Sequence, residues 1–585
     1  TSFRPDTGGL RVILPSPALS PAESLSAAGK DTLKAADTPA SAPAPPPRPD
    51  PGNGSNNFVV SGRRTSTGYP ILANDPHLNL TLPSIWYEVQ LVAPGINAYG
   101  VSLPGAPAVA IGFNRSIAWG VTNGGDDVLD WYRIEFKDST LSDYLYAGNW
   151  RASRKVVEAI KVKGGETVLD TVVYTHHGPV VLRTQEAPRN SNSPAMHAAR
   201  WLPLEPTDEI LALTRIMKAT DYRQFAAAIR HFESPALNFA FASVAGDIAM
   251  EHQGRFPRKW PGQGRFTLVG AEPGHDWQGW IPAEENPRSL NPAQGWLASA
   301  NQSPVDSTYP HYLGASYLNG KRAVRLTQLV SEADSLTPED AAAIMLDDLN
   351  LHAAEILPDM LRRVNRAGLS AADSSVYDSL AAWDYRHRPG QGAPAVFDFW
   401  WKQLYRSIWQ DEFGGDNTRY EWPSMDRTRR LILEEPTEDW YDDITTPARE
   451  TLGFLINRAF REALVRYHRL DAARTWAAYR PVNIRHLTYF DGFSRLGVVS
   501  GGCADCVNSL KGEHGPSWRM VVALGRHGPK AMGIYPGGQS GNPGSPRYDE
   551  FVADWAAGRF QELLYLTDLR DRPELTPVRL LLEGK

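Results

Sequence analysis

The chain is short of several things, and each shortage excludes something. Two cysteines occur in 585 residues, Cys503 and Cys506 in "CADC". A lone CxxC lacks the second ligand pair of a zinc site, so it reads as a local disulfide or two free thiols before metal or redox chemistry. No segment approaches the roughly 18 consecutive apolar residues of a membrane span. The net charge of −6 is too weak to imply a nucleic-acid partner, and no dense Lys/Arg stripe is present. No Gly-rich loop sits between strand and helix to cradle a phosphate, so no nucleotide or organic redox cofactor is implied. The chain opens "TSFRPDTGG", with neither Met nor a signal-peptide pattern, which predicts a start that is missing or processed.

What remains is an ordinary globular composition, 42% apolar and 22% charged, with 18 Trp, 22 Tyr and 19 Phe for a core or apolar pockets. The length allows several domains or one large multilayer enzyme. Proline is concentrated: "TPASAPAPPPRPDP", residues 38 to 51, holds seven prolines in fourteen residues. Such a run forms neither helix nor sheet, and reads as an extended, protease-accessible spacer. Residues 1–37 contain "LRVIL" and a possible short helix near "AESLSAAGKDTLKAA", too little for a domain.

After Gly54 the pattern changes. "NNFVVSG", "YPILAND", "SIWYEVQLVA", "RSIAWGVTN" and "ETVLDTVVYTHHGPVVL" read as strands between turn residues. "PTDEILALTRIMKATDYRQFAAAIRHF" carries Ile210, Leu213, Ile216 and Met217 at helical spacing. Thr337 reads as an N-cap, with Pro338 at the first helical position. About 320–470 is mostly helical, and strands return near "WRMVVALG". Strands, then helices, then strands predict an α+β fold with helices covering antiparallel sheets.

Ser55 stands at the junction of spacer and first strand, and on composition alone it is simply where a linker ends. However, "GSNNFVVSG" followed by "GYPILANDPHL" resembles the start of the β subunit in the penicillin acylase family of N-terminal nucleophile hydrolases. The likeness continues in order through "IGFNRSIAWGVTNGGDDVLDWY", "HHGPVV", "PALNFAFASVAGDIA", "LASANQSP", "GPSWRMVVALG" and "GGQSGNPGSPRY". It implies a four-layer αββα sandwich, and three segments: 1–37 as the end of an α subunit, 38–54 as a spacer peptide, and 55–585 as the β subunit. It also implies cleavage of a linear amide, by a penicillin-type acylase or by one acting on acyl-homoserine lactones or lipopeptides. The rival reading is a silent binding protein that kept the fold.

The chemistry explains why a cut must precede the serine. A hydroxyl needs a nearby base. Breaking Gly54–Ser55 frees an α-amine with a pKa near ~8, so one residue supplies both nucleophile and base. Gly54 lets the backbone strain toward an N-to-O acyl shift. The resemblance then implies oxyanion donors at the Asn238 side chain and the Asn123 backbone N–H. It places His77 beside the nucleophile, its imidazole orienting the hydroxyl or amine. Arg258, its register against the neighbouring Lys259 left open, matches a family arginine near the oxyanion asparagine. His176 and His177 read as structural.

"DDVLD" offers Asp127, the Leu129 carbonyl and Asp130, hard oxygens that suit Ca²⁺. Two aspartates in a Gly-rich loop are ordinarily solvated turn residues. The resemblance implies a structural calcium there, completed by a Glu of the α subunit, which would be the partner chain from the same precursor. Leu78 and Ile111 fall at acyl-pocket positions, where aliphatic side chains favour flexible chains over a phenyl ring, or else they only fill the core. The family resemblance implies a periplasmic or secreted protein.

Overall fold

A computed structural model describes residues 54–182, 196–315, 317, 320–414, 422–470 and 473–567. The short N-terminal helix and the spacer expected from sequence lie outside these residues.

The strand Ser55–Val60 is buried along its whole length. It lies between Trp296–Ser299 and Ile71–Asn79, antiparallel to both. Arg519–Ala523, Lys530–Ile534 and Gln561–Leu563 extend this first sheet, and His514–Pro516 pairs with the end of Ile71–Asn79. The second sheet runs Arg288–Leu290, Ile248–Gln253, Leu237–Ser243, Ile117–Asn123, Ile111–Asn114, Ile96–Ser102 and Tyr87–Ala93.

Strand period sorts each sequence onto two faces. Val59, Leu72, Met520 and Val522 of the first sheet meet Ile111, Phe113, Ala118, Ala240 and Ala242 of the second in one core. The opposite face of the first sheet, with Phe58, Val60, Ile71 and Ala73, is covered by the helices Lys321–Glu332 and Pro338–Met345. The opposite face of the second, with Ile117, Trp119, Phe239 and Phe241, is covered by Glu209–Ile216 and Tyr222–Ile229. The result is the αββα order of layers. Both faces of both sheets are buried, which is why the central strands read as nearly continuous apolar runs.

Local signals explain the helix ends. Thr337 caps Pro338–Met345 through a capping box with Asp340. The segment with helical spacing after Pro206 forms two helices, because the Asp221 side chain accepts from the Gln224 N–H and starts a second one. Helices between Leu351 and His468 pack around Trp400, Phe397, Ile456 and Phe460 as a separate core. Cys503 and Cys506 are disulfide-bonded.

The two sheets approach closely where Gly120 faces Asn74. A Cβ at position 120 would stand 2.0 Å from Asn74 Oδ1. Gly120→Ala should therefore destabilise by about 1–3 kcal/mol, the usual cost of overpacking. Chemical denaturation reads this directly, and an unchanged midpoint would contradict the close contact.

Candidate active site

Register brings the polar residues together at one end of the space between the sheets. Ser55 and Asn57 share a face with Val59, and Asn238 shares one with Ala240 and Ala242. Asn57 Nδ2 donates to the Asn238 carbonyl (3.1 Å). Thr122 and Ser299 meet through their hydroxyls at 2.8 Å, and Asn238 Nδ2 reaches both, at 3.1 and 3.2 Å. The Asn123 carbonyl accepts from Asn238 Nδ2 (3.3 Å) and from Asn301 Nδ2 (2.8 Å). Ser55, Asn238 and Asn123, predicted from sequence, thus belong to one connected group.

Sequence reasoning missed two residues that touch Ser55. Asn301 Oδ1 accepts the Ser55 backbone N–H at 2.5 Å. Asn301 holds φ at 66°, a left-handed conformation that Asn tolerates better than most residues. Arg322, from the covering helix, donates to the Ser55 carbonyl (2.5 Å), Asn56 Oδ1 (2.7 Å) and Asn301 Oδ1 (2.9 Å). Arg322 is fully buried; burial pulls it down to about 10, so it stays a cation at neutral pH. Asn301 lies in the "LASANQSP" block, but only the turn reveals its target. Arg322 in "GKRAVRL" carries no distinguishing signal.

Two expectations need correction. His77 contacts Ser55 through its backbone, not its ring. Its N–H lies 3.3 Å from Ser55 Oγ and 3.0 Å from the Gly54 carbonyl oxygen. The ring shares the helix-side face with Asp75 and pairs with it at 3.1 Å. Strand alternation puts it on the side away from the Ser55 hydroxyl. Burial lowers the His77 pKa, with Asp75 pulling the other way. Arg258 is exposed and its backbone pairs with Gly279; the arginine at the nucleophile is Arg322. Leu78 and Ile111 both pack on the core between the sheets, on the same side as Ser55.

The proposed calcium ligands meet a cation of the chain's own. Lys259 Nζ lies 3.0 Å from Asp127 Oδ2, 2.9 Å from Asp130 Oδ2 and 3.0 Å from the Asp127 carbonyl. Its side chain is 1% exposed. Trp277 Nε1 also donates to Asp130 Oδ2 (2.5 Å). The donor set does not fit calcium as it stands, because the ion would have to share these oxygens with a buried ammonium. The Leu129 backbone N–H hydrogen-bonds the Asp127 carboxylate, and its strand pairs it with Trp201.

A serine opening a buried strand, inside an αββα sandwich and facing an asparagine across the sheets, defines the architecture of an N-terminal nucleophile hydrolase. The penicillin amidase family model matches residues 11–571. The chain belongs to that family, and with it to the amidohydrolases. It is 26% identical to the acyl-homoserine lactone acylase QuiP of Pseudomonas aeruginosa, over 90% of this chain and 69% of that protein. It is 28% identical to the penicillin acylase 2 proenzyme of Pseudomonas sp. strain SE83, over 88% of this chain and 68% of that protein. The chain spans about two thirds of the length of the curated relatives it matches. The fold matches a thermostable penicillin G acylase from Alcaligenes faecalis with a TM-score of 0.71 at 19% identity, covering 91% of this chain and all of that one. Among the described residues no helix is long and apolar enough to cross a membrane.

The lysine predicts how the aspartate cluster responds. Calcium chelation should leave the melting temperature unchanged. Lys259→Met leaves Asp130 buried without its partner and should cost about 3–5 kcal/mol. A chelator-induced drop in melting temperature that added calcium reverses would overturn this assignment.

Proposed function

We propose that the chain is a self-activating acylase that hydrolyses a linear amide through Ser55. The observation that carries this reading is the shared donor at the junction. One backbone N–H, that of His77, lies within reach of both the Ser55 hydroxyl and the Gly54 carbonyl oxygen. In the precursor, Ser55 Oγ attacks the Gly54 carbonyl carbon. The C–N bond breaks, the Ser55 hydroxyl proton passes to the nitrogen, which becomes a free amine, and water hydrolyses the resulting ester. The His77 N–H faces the oxygen on which negative charge develops.

After the cut, the Ser55 amine is the base for its own hydroxyl. Asn301 Oδ1 orients it, and the nearby Arg322 charge disfavours its protonated form. Ser55 Oγ attacks the substrate carbonyl, and Asn238 Nδ2 with the Asn123 N–H receives the oxyanion. The amine leaves with the proton, and water then releases the acyl group from Ser55. Leu78 and Ile111 line the acyl side. No calcium is assigned beside Asp127, Leu129 and Asp130, where Lys259 stands. An α subunit from the same precursor and a periplasmic or secreted location rest on family resemblance.

Autoprocessing should yield a large chain beginning Ser-Asn-Asn-Phe by mass spectrometry, and Ser55→Ala should remain uncut. A folded wild-type precursor that stays intact, or is cut elsewhere, refutes the reading. Asn238→Ala should lose roughly two to three orders of magnitude in turnover; a loss of tenfold or less would assign Asn238 to structure.

The aliphatic pair also favours linear acyl chains. Each buried methylene is worth up to ~0.8 kcal/mol until the cavity is full. Across linear acyl amides kcat/KM should rise with length and then fall sharply. Phenylacetyl amides turning over faster than every chain from butanoyl to dodecanoyl would favour a penicillin G acylase-like preference instead.

A further inference from the structure

Asn238 presents its amide nitrogen to the reaction only if its amide plane is held one way round. The Nδ2 end is identified by the Asn123 carbonyl, which can only accept. Its contacts with protein oxygens, at 3.1, 3.2 and 3.3 Å, are long, so exchanging one for an oxyanion costs little. The Oδ1 end makes the short contact: His252 Nδ1 at 2.6 Å. An amide oxygen cannot donate, so Nδ1 carries the proton of that bond. The other ring nitrogen, Nε2, lies 3.0 Å from the Asp126 carboxylate.

Several features hold this line in place. His252 stands directly opposite Asn238 in the antiparallel pair of strands. Its side chain is 2% exposed and that of Asp126 1%. Phe256 stacks on the imidazole, with ring centroids 5.1 Å apart and planes within 4°. The Tyr317 hydroxyl donates to Asp126 Oδ1 at 3.1 Å. Gly124 leaves the room: a Cβ there would stand 2.5 Å from Asp126 Oδ2 and 2.9 Å from His252 Cε1. Asn238 and His252 also line one cavity of about 530 Å³, together with Met250, Leu297 and Tyr309.

We propose that Asp126 and His252 form a positioning relay that fixes the Asn238 amide and strengthens its N–H as an oxyanion donor. The proposal rests on the reading of Asn238 as an oxyanion donor. Asp126 orients the imidazole, and the imidazole N–H draws electron density toward Asn238 Oδ1. Hydrogen bonds in series polarise one another, so Nδ2 becomes a better donor where charge develops. Without the ring, the amide can turn its oxygen toward the hydroxyls of Thr122 and Ser299 and present the wrong pole. His252 touches no reacting atom in this scheme; it acts through Asn238.

The test is a double-mutant cycle on the full-length precursor after processing, with rates normalised to the cut fraction. His252→Leu should lower kcat by roughly ten- to a hundredfold with KM within threefold. In an Asn238→Ala background the same change should cost less than threefold, because the group it positions is gone. His252→Gln, which can still donate to Asn238 Oδ1, should recover most of the loss. If His252→Leu does not fold, Asp126→Asn takes its place in the cycle, since it removes the carboxylate that orients the ring. An equal loss in both backgrounds, or a loss in KM alone, overturns the relay and leaves His252 a packing residue. A near-normal Asn238→Ala enzyme would instead overturn the oxyanion reading itself, so the two failures are distinguishable.

Discussion

The backbone of Ser55 is held at both of its polar atoms. Asn301 Oδ1 takes the N–H and Arg322 takes the carbonyl, while Arg322 also ties Asn301 in place. A strand that begins at a cut would ordinarily fray, since a chain end has lost its covalent restraint. Here both polar backbone atoms of Ser55 are tied to buried side chains. The buried guanidinium has a cost of desolvation, offset by three charge-assisted bonds and by the nearby Asp75.

The two faces of this strand divide the work. Ser55 and Asn57 look into the space between the sheets, where Asn238 and Thr122 answer from the facing sheet and Ser299 from the neighbouring strand. Asn56, on the opposite face, meets Arg322 and the Val507 carbonyl beneath the covering helices. Asp75 and His77 lie on that same side, and Arg519 approaches Asp75 at 3.8 Å. Alternation along one strand therefore puts the Ser55 side chain in the space between the sheets and the buried Arg322 behind it. A one-residue slip of register would exchange the two, so the full burial of both faces is what keeps the chemistry in place.

Much of the fold was legible, because central strands that bury both faces announce themselves as apolar runs and Thr337 announces a helix. The order of layers came from the resemblance and from the cores, not from periodicity. Of the residues gathered around Ser55, those in a quoted motif on the inner face were legible, as with Ser55 and Asn238 themselves. His77 lies in such a motif, yet strand parity sends its ring the other way. Arg322, Asn301, Lys259 and His252 were not legible for a common reason. Each meets a partner only through the fold, across 246 positions for Ser55 and Asn301 and 126 for Asp126 and His252. Lys259 in "RKWPG" looks like a surface charge until the fold carries Asp127 and Asp130 to it. Arg258, one residue before that lysine, stays at the surface.

The central claim is that the buried Arg322 and Asn301 tune the Ser55 amine as a neutral base. The direct measurement is the pH dependence of kcat/KM for the processed enzyme, in wild type and in Arg322→Gln. A free α-amine titrates near ~8; beside a buried cation it should titrate lower. The acid limb of the profile should fall below that value in the wild type and move up by about one unit in Arg322→Gln. An acid limb near ~8 in both enzymes, unmoved by the loss of the guanidinium, would contradict the account.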